Sequence, residues 1–187
     1  MGSVPRGQER QALTMPAIRP AFAEDIKAIC GIYGHHVRTG TASFEIDAPD
    51  EAEMTRRWKD ISDKGLPYIV AEDNGAVVGY AYAGLYRPRV AYRFTVEDSI
   101  YVHPDHAGKG IGGLLLPALI TACEKQGLRQ MIAVIGDSGN AASISLHRKF
   151  GFTDTGTLKD VGFKFGRWLD AVFMQRELGD GAKTFPK

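Results

Sequence analysis

The sequence predicts an α/β (α+β) domain of about six to seven strands flanked by about four helices. Two observations carry this. Short apolar stretches rich in Val, Ile and Tyr are interleaved with segments of helical spacing along most of the chain. An Asn74-Gly75 pair separates two such stretches, the strongest short-range hairpin signal a sequence offers. The length of 187 residues suits a single domain with a sizeable core.

Taken in order, residues 1–15 are polar and aperiodic, and are set aside as an arm or expression remnant. The domain proper spans residues 16–179, with a C-terminal tail at 180–187. Ala17-Ile18-Arg19 reads as a short strand. Glu24 to Arg38 reads as a helix, because Ile26, Ile29, Ile32, Tyr33 and Val37 fall on one side. Gly40 to Pro49 is a loop carrying Phe44. Asp50 caps a second helix that runs to about Lys64 and stops at Gly65. Tyr68 to Glu72 and Ala76 to Leu85 are the two arms of the Asn74-Gly75 hairpin. A further strand covers about Tyr92 to Val102. Alternation puts Arg93, Thr95, Glu97, Ser99 and Tyr101 on one face and Phe94, Val96, Asp98, Ile100 and Val102 on the other. A helix follows from about Lys109 to Gln126. Pro117 inside it is a local conflict, since an interior proline costs roughly 3 kcal/mol unless a kink or widened turn absorbs it. Gln130 to Ile135 is a strand, and Gly139-Asn140 opens a short helix ending at Phe150-Gly151. Phe152 to Leu158 and Trp168 to Leu178 are two strands joined by a loop holding Gly162 and Gly166.

Composition excludes several function classes. A formal net charge of +1 with no basic block argues against a nucleic-acid partner. Cys30 and Cys123 lie far apart in predicted helices, so buried free thiols are expected, with neither a disulfide framework nor a metal site. No apolar run reaches membrane-spanning length, so no membrane partner is expected and a cytoplasmic location is the default.

The chemistry concentrates at Tyr101 to Leu116, where a strand end passes through Gly108-Lys109-Gly110-Ile111-Gly112-Gly113 into an apolar helix. Such a turn gathers backbone N–H groups at a helix N-terminus, where the partial positive charge favours an anion. Its glycines let backbone approach a phosphate closely. The turn is not a Walker loop, because Gly110 follows Lys109 where Ser or Thr is needed. It is a poor dinucleotide fingerprint, because Gly108, Gly110 and Gly112 are spaced by two and lie past mid-chain.

What the turn resembles is the acetyl-CoA pyrophosphate loop of the GCN5-related N-acetyltransferase (GNAT) superfamily, Gln/Arg-x-x-Gly-x-Gly/Ala, with Ala107 in the first place. Asn140, Ser143, His147, Gly151 and Phe152 match that family's second motif, with Ser143 for Ala and His147 for a Tyr that often protonates the leaving thiolate. His147 together with Thr95-Val96-Glu97 is similar to the phosphinothricin and methionine sulfoximine acetyltransferase subfamily. The likeness extends through residues 41–45, 80–84, 133–136 and 164–170, and covers about Ala17 to Leu178. It implies a GNAT fold with a mixed central sheet, acetyl-CoA as co-substrate, a small amino-acid-type acceptor and a homodimer.

Transfer of an acetyl group to an amine requires the thioester to be held, the ammonium to lose a proton, and the oxyanion to be stabilised. The leaving thiolate can also need a proton. Ile100, Tyr101 and Val102 can pair through backbone with the pantetheine amides, and one N–H there can serve the thioester oxygen. Gly108 to Gly113 would take the pyrophosphate, with Lys109 adding charge. Glu97 is the candidate base, directly or through water; Asp98, facing the other way, is the reserve. His147 can act as acid or second base, and the sequence leaves both open. Asn140 shares its helix side, two turns away, and either binds pantetheine or caps the helix. Arg87, Arg89 and Arg93 lie just before Glu97 and are suited to a carboxylate or phosphinate. The resemblance assigns acceptor contact to Arg87-Pro88-Arg89 and Glu97-Asp98-Ser99. Phe44 and the Lys164 to Trp168 loop are candidate walls of the pocket. Two rival readings are a peptide or protein N-acetyltransferase, which the arginines oppose, and a non-catalytic acyl-CoA-binding module, which would not need Glu97 and His147.

Overall fold

The computed structural model describes residues 15–186. The expected arm at residues 1–15 lies outside them except for Met15. The elements in chain order are β1 (Ala17–Pro20), α1 (Ile26–Thr39), α2 (Glu51–Ser62), β2 (Tyr68–Asp73), β3 (Ala76–Leu85), β4 (Thr95–Val102), α3 (Ile111–Lys125), β5 (Gln130–Gly136), α4 (Ala141–Lys149), β6 (Thr153–Lys164) and β7 (Arg167–Glu177). The strands form one mixed sheet in the order β1-β2-β3-β4-β5-β7-β6. Its β4–β5 pair is parallel and its other neighbours are antiparallel.

Strand alternation divides the interior into two cores. Tyr80 and Ala81 are consecutive and both fully buried, yet they point to opposite faces. Tyr80 joins Ile29, Ile32 and Val37 of α1 and Met54 of α2 on one side. Ala81 joins Val96, Met131 and the Leu115, Leu116 and Leu119 face of α3 on the other. On the α1–α2 side, tyrosines from three adjacent strands stack across the sheet, Tyr68 on Tyr82 at 4.9 Å and Tyr80 on Tyr101 at 5.3 Å. Such pairs add about 0.5–1.5 kcal/mol each beyond the area they bury. They stiffen the middle of the sheet, where the site lies.

Local chemistry sets the element ends. Asp50 accepts from the Glu53 N–H and caps α2 as expected. Asn74 and Gly75 both have positive φ, 49° and 79°, the geometry of a two-residue hairpin turn. Three expectations need correction. β4 begins at Thr95, not Tyr92, because Val90–Tyr92 curl into a 3₁₀ turn. The last two strands run on to Lys164 and start again at Arg167, so the expected loop is a continuous hairpin closed by Phe165-Gly166, with φ of 51° and 74°. Gly162 sits inside β6, at the end of a bulge that starts after Leu158. Helix α3 runs unbroken through Pro117, a half-buried position. The missing Pro117 N–H leaves the Gly113 carbonyl without its helical donor.

Candidate active site

Strands β4 and β5 pair only from Thr95↔Gln130 to Asp98↔Ala133. Beyond that point β4 keeps its pairing with β3 as far as Val102↔Gly79, and β5 keeps its pairing with β7 as far as Gly136↔Ala171. The facing edges of Ser99–Val102 and Val134–Gly136 therefore diverge. They leave a wedge whose vertex is Asp98/Ala133 and whose walls present unpaired backbone groups, the requirement for holding an amide-bearing chain as an added strand. A groove of about 410 Å³ fills the wedge and continues to the glycine turn. Its lining includes Asp98, Ser99, Ile100, Tyr101, Val102, Gly108, Gly110, Gly112, Gly113, Asn140 and His147. Candidate residues of β4, the glycine turn and α4 thus meet in one place.

The turn is built for close backbone approach. Gly108 and Gly110 sit at φ of 74° and 82°, a region L side chains rarely adopt, and Gly110 is the N-cap of α3. The Ile111 and Gly112 N–H groups at the start of α3 have no helical acceptor and carry the helix's positive end, while the Gly113 N–H donates to the Gly110 carbonyl at 2.9 Å. A Cβ added to Gly113 would meet nothing within 4 Å. Gly113→Leu therefore fits the fold and improves helix propensity by up to about 1 kcal/mol, while its side chain grows into space at the groove. The expected outcome is unchanged or higher thermal stability together with much weaker acetyl-CoA binding by calorimetry.

Some expected contributors act differently. Lys109 is exposed and does not line the groove. The Ile111 side chain is buried in the core, where a Cβ on Gly79 would come within 2.9 Å of it, so only its backbone faces the turn. Tyr101 offers backbone to the groove while its ring packs edge-on against Tyr33 at 5.0 Å, on the other face. His36 lines the groove and was not singled out in the sequence. Its Nε2 lies 2.8 Å from the Val102 carbonyl and donates to it. Burial holds its pKa below the ordinary histidine value, the Val102 bond opposing, which suits a neutral ring. Asn140 caps α4 by accepting from the Ser143 N–H at 3.2 Å and also lines the groove, so capping and a place at the ligand coexist.

The two candidate catalytic groups reach the vertex from opposite faces of the sheet. Glu97 shares the α1–α2 face with Ser99 and Tyr101. It is half-buried, and desolvation, reinforced by the neighbouring Asp98 charge, raises its pKa above the usual carboxylate range against the opposing pull of Arg87. Asp98 turns the other way and is buried with His147, whose Nε2 lies 3.0 Å from its Oδ2. The expected acceptor contact by Asp98 is thereby redirected, because strand alternation commits its carboxylate to His147. Arg87, Pro88 and Arg89, with Tyr86 and Tyr92, line a separate concavity of about 380 Å³. Arg93 is not part of it: its guanidinium stacks on Phe94 at 4.5 Å and donates to the Val90 carbonyl. Phe44 lies across Gly136 and Gly162, where added Cβ atoms would come within 3.0 Å and 2.5 Å of its ring. These two glycines let the loop after α1 close against the outer end of β5. Lys164 is buried and holds that loop, while Phe165 and Trp168 are exposed.

A sheet opened between parallel strands, with a glycine cradle at a helix N-terminus, can hold a ligand that carries both amides and phosphates, as an acyl-CoA does. The Acetyltransferase (GNAT) family matches residues 32–152, and the chain belongs to this family. Its co-substrate is acetyl-CoA. The chain is 55% identical over 178 residues to a phosphinothricin N-acetyltransferase of Alcaligenes faecalis, covering 95% of this chain and 89% of that protein. It is 46% identical over 172 residues to an L-methionine sulfoximine/L-methionine sulfone acetyltransferase of Pseudomonas aeruginosa, covering 91% and 98%. The crystal structure of a GNAT superfamily phosphinothricin acetyltransferase from Sinorhizobium meliloti in complex with acetyl-CoA superposes with a TM-score of 0.90 at 50% identity, covering 93% of this chain and 94% of that one.

Proposed function

We propose that this enzyme acetylates the α-amine of a small amino-acid analogue of the phosphinothricin, methionine sulfoximine or methionine sulfone type, by direct transfer from acetyl-CoA in a ternary complex. The observation that carries the reading is a basic concavity lined by Arg87 and Arg89 just past the end of β3, the strand whose Gly84 pairs with Glu97 of β4. An α-amino acid presents a carboxylate next to the reacting nitrogen. Guanidiniums at the end of the strand paired with the base's own strand suit that pair of groups. Glu97 takes the ammonium proton, the backbone of β4 at the wedge steadies the oxyanion, and His147 works from the opposite face at the thioester sulfur. The names of the similar acetyltransferases support the same acceptor class.

The test is release of CoA thiol from acetyl-CoA with free phosphinothricin, methionine sulfoximine, methionine sulfone, a basic peptide, or no acceptor. Turnover with the free amino acids alone supports the reading, and turnover with the peptide alone overturns it.

A homodimer is part of the proposal. Leu158, Val161, Phe163, Phe165 and Trp168 of the β6–β7 hairpin are 52–61% exposed, an apolar patch along a sheet edge that a second copy would cover. Sedimentation equilibrium reads this directly. A cytoplasmic site of action is also proposed, consistent with Cys30 and Cys123 being free thiols. Among the described residues no helix is long and apolar enough to cross a membrane.

A further inference from the structure

Both ring nitrogens of His147 are engaged, one by a backbone carbonyl and one by Asp98. His147 Nδ1 lies 2.7 Å from the Ser143 carbonyl oxygen. A carbonyl only accepts, so Nδ1 carries a proton. Nε2 lies 3.0 Å from Asp98 Oδ2. A neutral ring would turn a lone pair toward that carboxylate and set two acceptors face to face. His147 and Asp98 are 4% and 7% exposed, so water does not relieve the conflict. One proton between Nε2 and Oδ2 does relieve it. The other Asp98 oxygen, Oδ1, is buried without a partner, so the carboxylate's pairing goes to His147.

We propose, building on the acetyl-transfer reading above, that Asp98 is a positioning residue for His147. It holds the ring with a proton on both nitrogens, so that His147 meets the departing thiolate as an acid rather than the incoming amine as a base.

The surroundings agree. Burial alone would lower the His147 pKa, but the hydrogen bond and charge of Asp98 more than reverse this, and the Ser143 carbonyl acts in the same direction. Cys123 of α3, also near Asp98, is pushed up to about 12 by burial and stays a neutral thiol. Glu97, next along β4, lies on the opposite face. Arg176 of β7 is turned to the Phe150 carbonyl and to Glu124. Phe152 closes the remaining side, edge-on to the imidazole at 5.0 Å.

When the tetrahedral adduct collapses, the C–S bond breaks and its electron pair stays on sulfur. The Nε2 proton moves to sulfur and gives the free thiol. The ring is left neutral, with Nδ1–H still donating to the Ser143 carbonyl and a bare Nε2 facing the Asp98 carboxylate, an unfavourable pairing that draws the next proton back onto the ring. The acceptor nitrogen gives up two protons in becoming an amide: one restores the ring, and the other leaves through Glu97 to water.

The experiment is ¹⁵N NMR titration of the His147 ring in the wild type and in Asp98→Asn, with kcat–pH profiles of both. The wild-type ring is expected to be doubly protonated at pH 7 and to lose its proton above the ordinary histidine value of about 6.5. In Asp98→Asn that titration, and the alkaline limb of kcat with it, is expected to move down, with kcat reduced far more than acetyl-CoA affinity. A neutral wild-type ring at pH 7 would overturn the proposal, as would an unshifted titration in the variant. If the variant does not fold, the wild-type titration decides alone. The titration needs no acceptor: a wild type that acetylates no amino acid yet keeps a doubly protonated His147 would sink the substrate reading and support the pair.

Discussion

Glu97→Gln is expected to lower kcat by about 10²–10⁴-fold, the usual loss when a positioned general base is removed. The substitution keeps size and shape but cannot take a proton at the operating pH. It spares the groove, because Glu97 lies on the opposite face of β4 from Asp98 and does not line the acetyl-CoA wedge. Acetyl-CoA affinity by calorimetry should therefore stay at the wild-type value. A pH profile sharpens the test. Burial and the neighbouring Asp98 raise the Glu97 pKa, and a base works only when ionised, so wild-type turnover should fall as pH drops through that raised value. The acid limb should vanish in Glu97→Gln. Wild-type turnover across the pH range in the variant would remove Glu97 from the mechanism.

Lys164→Met is expected to destabilise the fold by about 3 kcal/mol. Lys164 is 3% exposed, and its ammonium donates to the Gly40 carbonyl at 2.9 Å and the Ser43 carbonyl at 2.7 Å. Hydrogen bonds to charged groups contribute about 1.5–3 kcal/mol each. The variant loses two and leaves two carbonyls unpaired. Relief of the ammonium's desolvation, which holds the Lys164 pKa below its ordinary value, offsets part of the loss and keeps the total near the lower bound for two bonds. The consequence reaches the site, because this contact ties the β6–β7 hairpin to the loop carrying Phe44. Ser43 of the same loop is held by the Tyr33 hydroxyl at 2.9 Å. Urea denaturation should show a lower midpoint with an unchanged slope. The Michaelis constant for the acceptor should rise more than that for acetyl-CoA. A stability change within about 0.5 kcal/mol, as for a surface substitution, would contradict the anchoring role.

Much of the fold was legible because its signals are local. Periodicity marked α1 through Ile26, Ile29, Ile32, Tyr33 and Val37, and all five are buried on one side. Asp50, Asn74-Gly75 and Asn140 act through their own neighbours, and each does what its residue type suggests. Errors came where glycine has two meanings. Gly162 and Gly166 suggested a loop, but one accommodates Phe44 beside a strand bulge and the other closes a two-residue turn. At the candidate site, glycine spacing was readable from the chain. The wedge was not, because it arises where the β4–β5 pairing stops, a property of the sheet. The Asp98–His147 contact spans 49 residues, and the His36–Val102 contact spans 66. No spacing rule brings such partners together. The alternation that put Asp98 opposite Glu97 was visible, but what Asp98 faces appears only once α4 is folded over the sheet.

Each free amino-acid acceptor and its carboxylate ester should be compared in the wild type and in Arg87→Ala. Loss of one charge-assisted contact of about 1.5–3 kcal/mol should raise the Michaelis constant roughly tenfold or more. Esterification should impose that rise on the wild type, and Arg87→Ala should impose it on the acid. The ester should lose little further in the variant, because the shared contact is already gone. Equal turnover of acid and ester by the wild type would contradict a carboxylate clamp beside Glu97, and with it the assignment of the acceptor as a free amino-acid analogue.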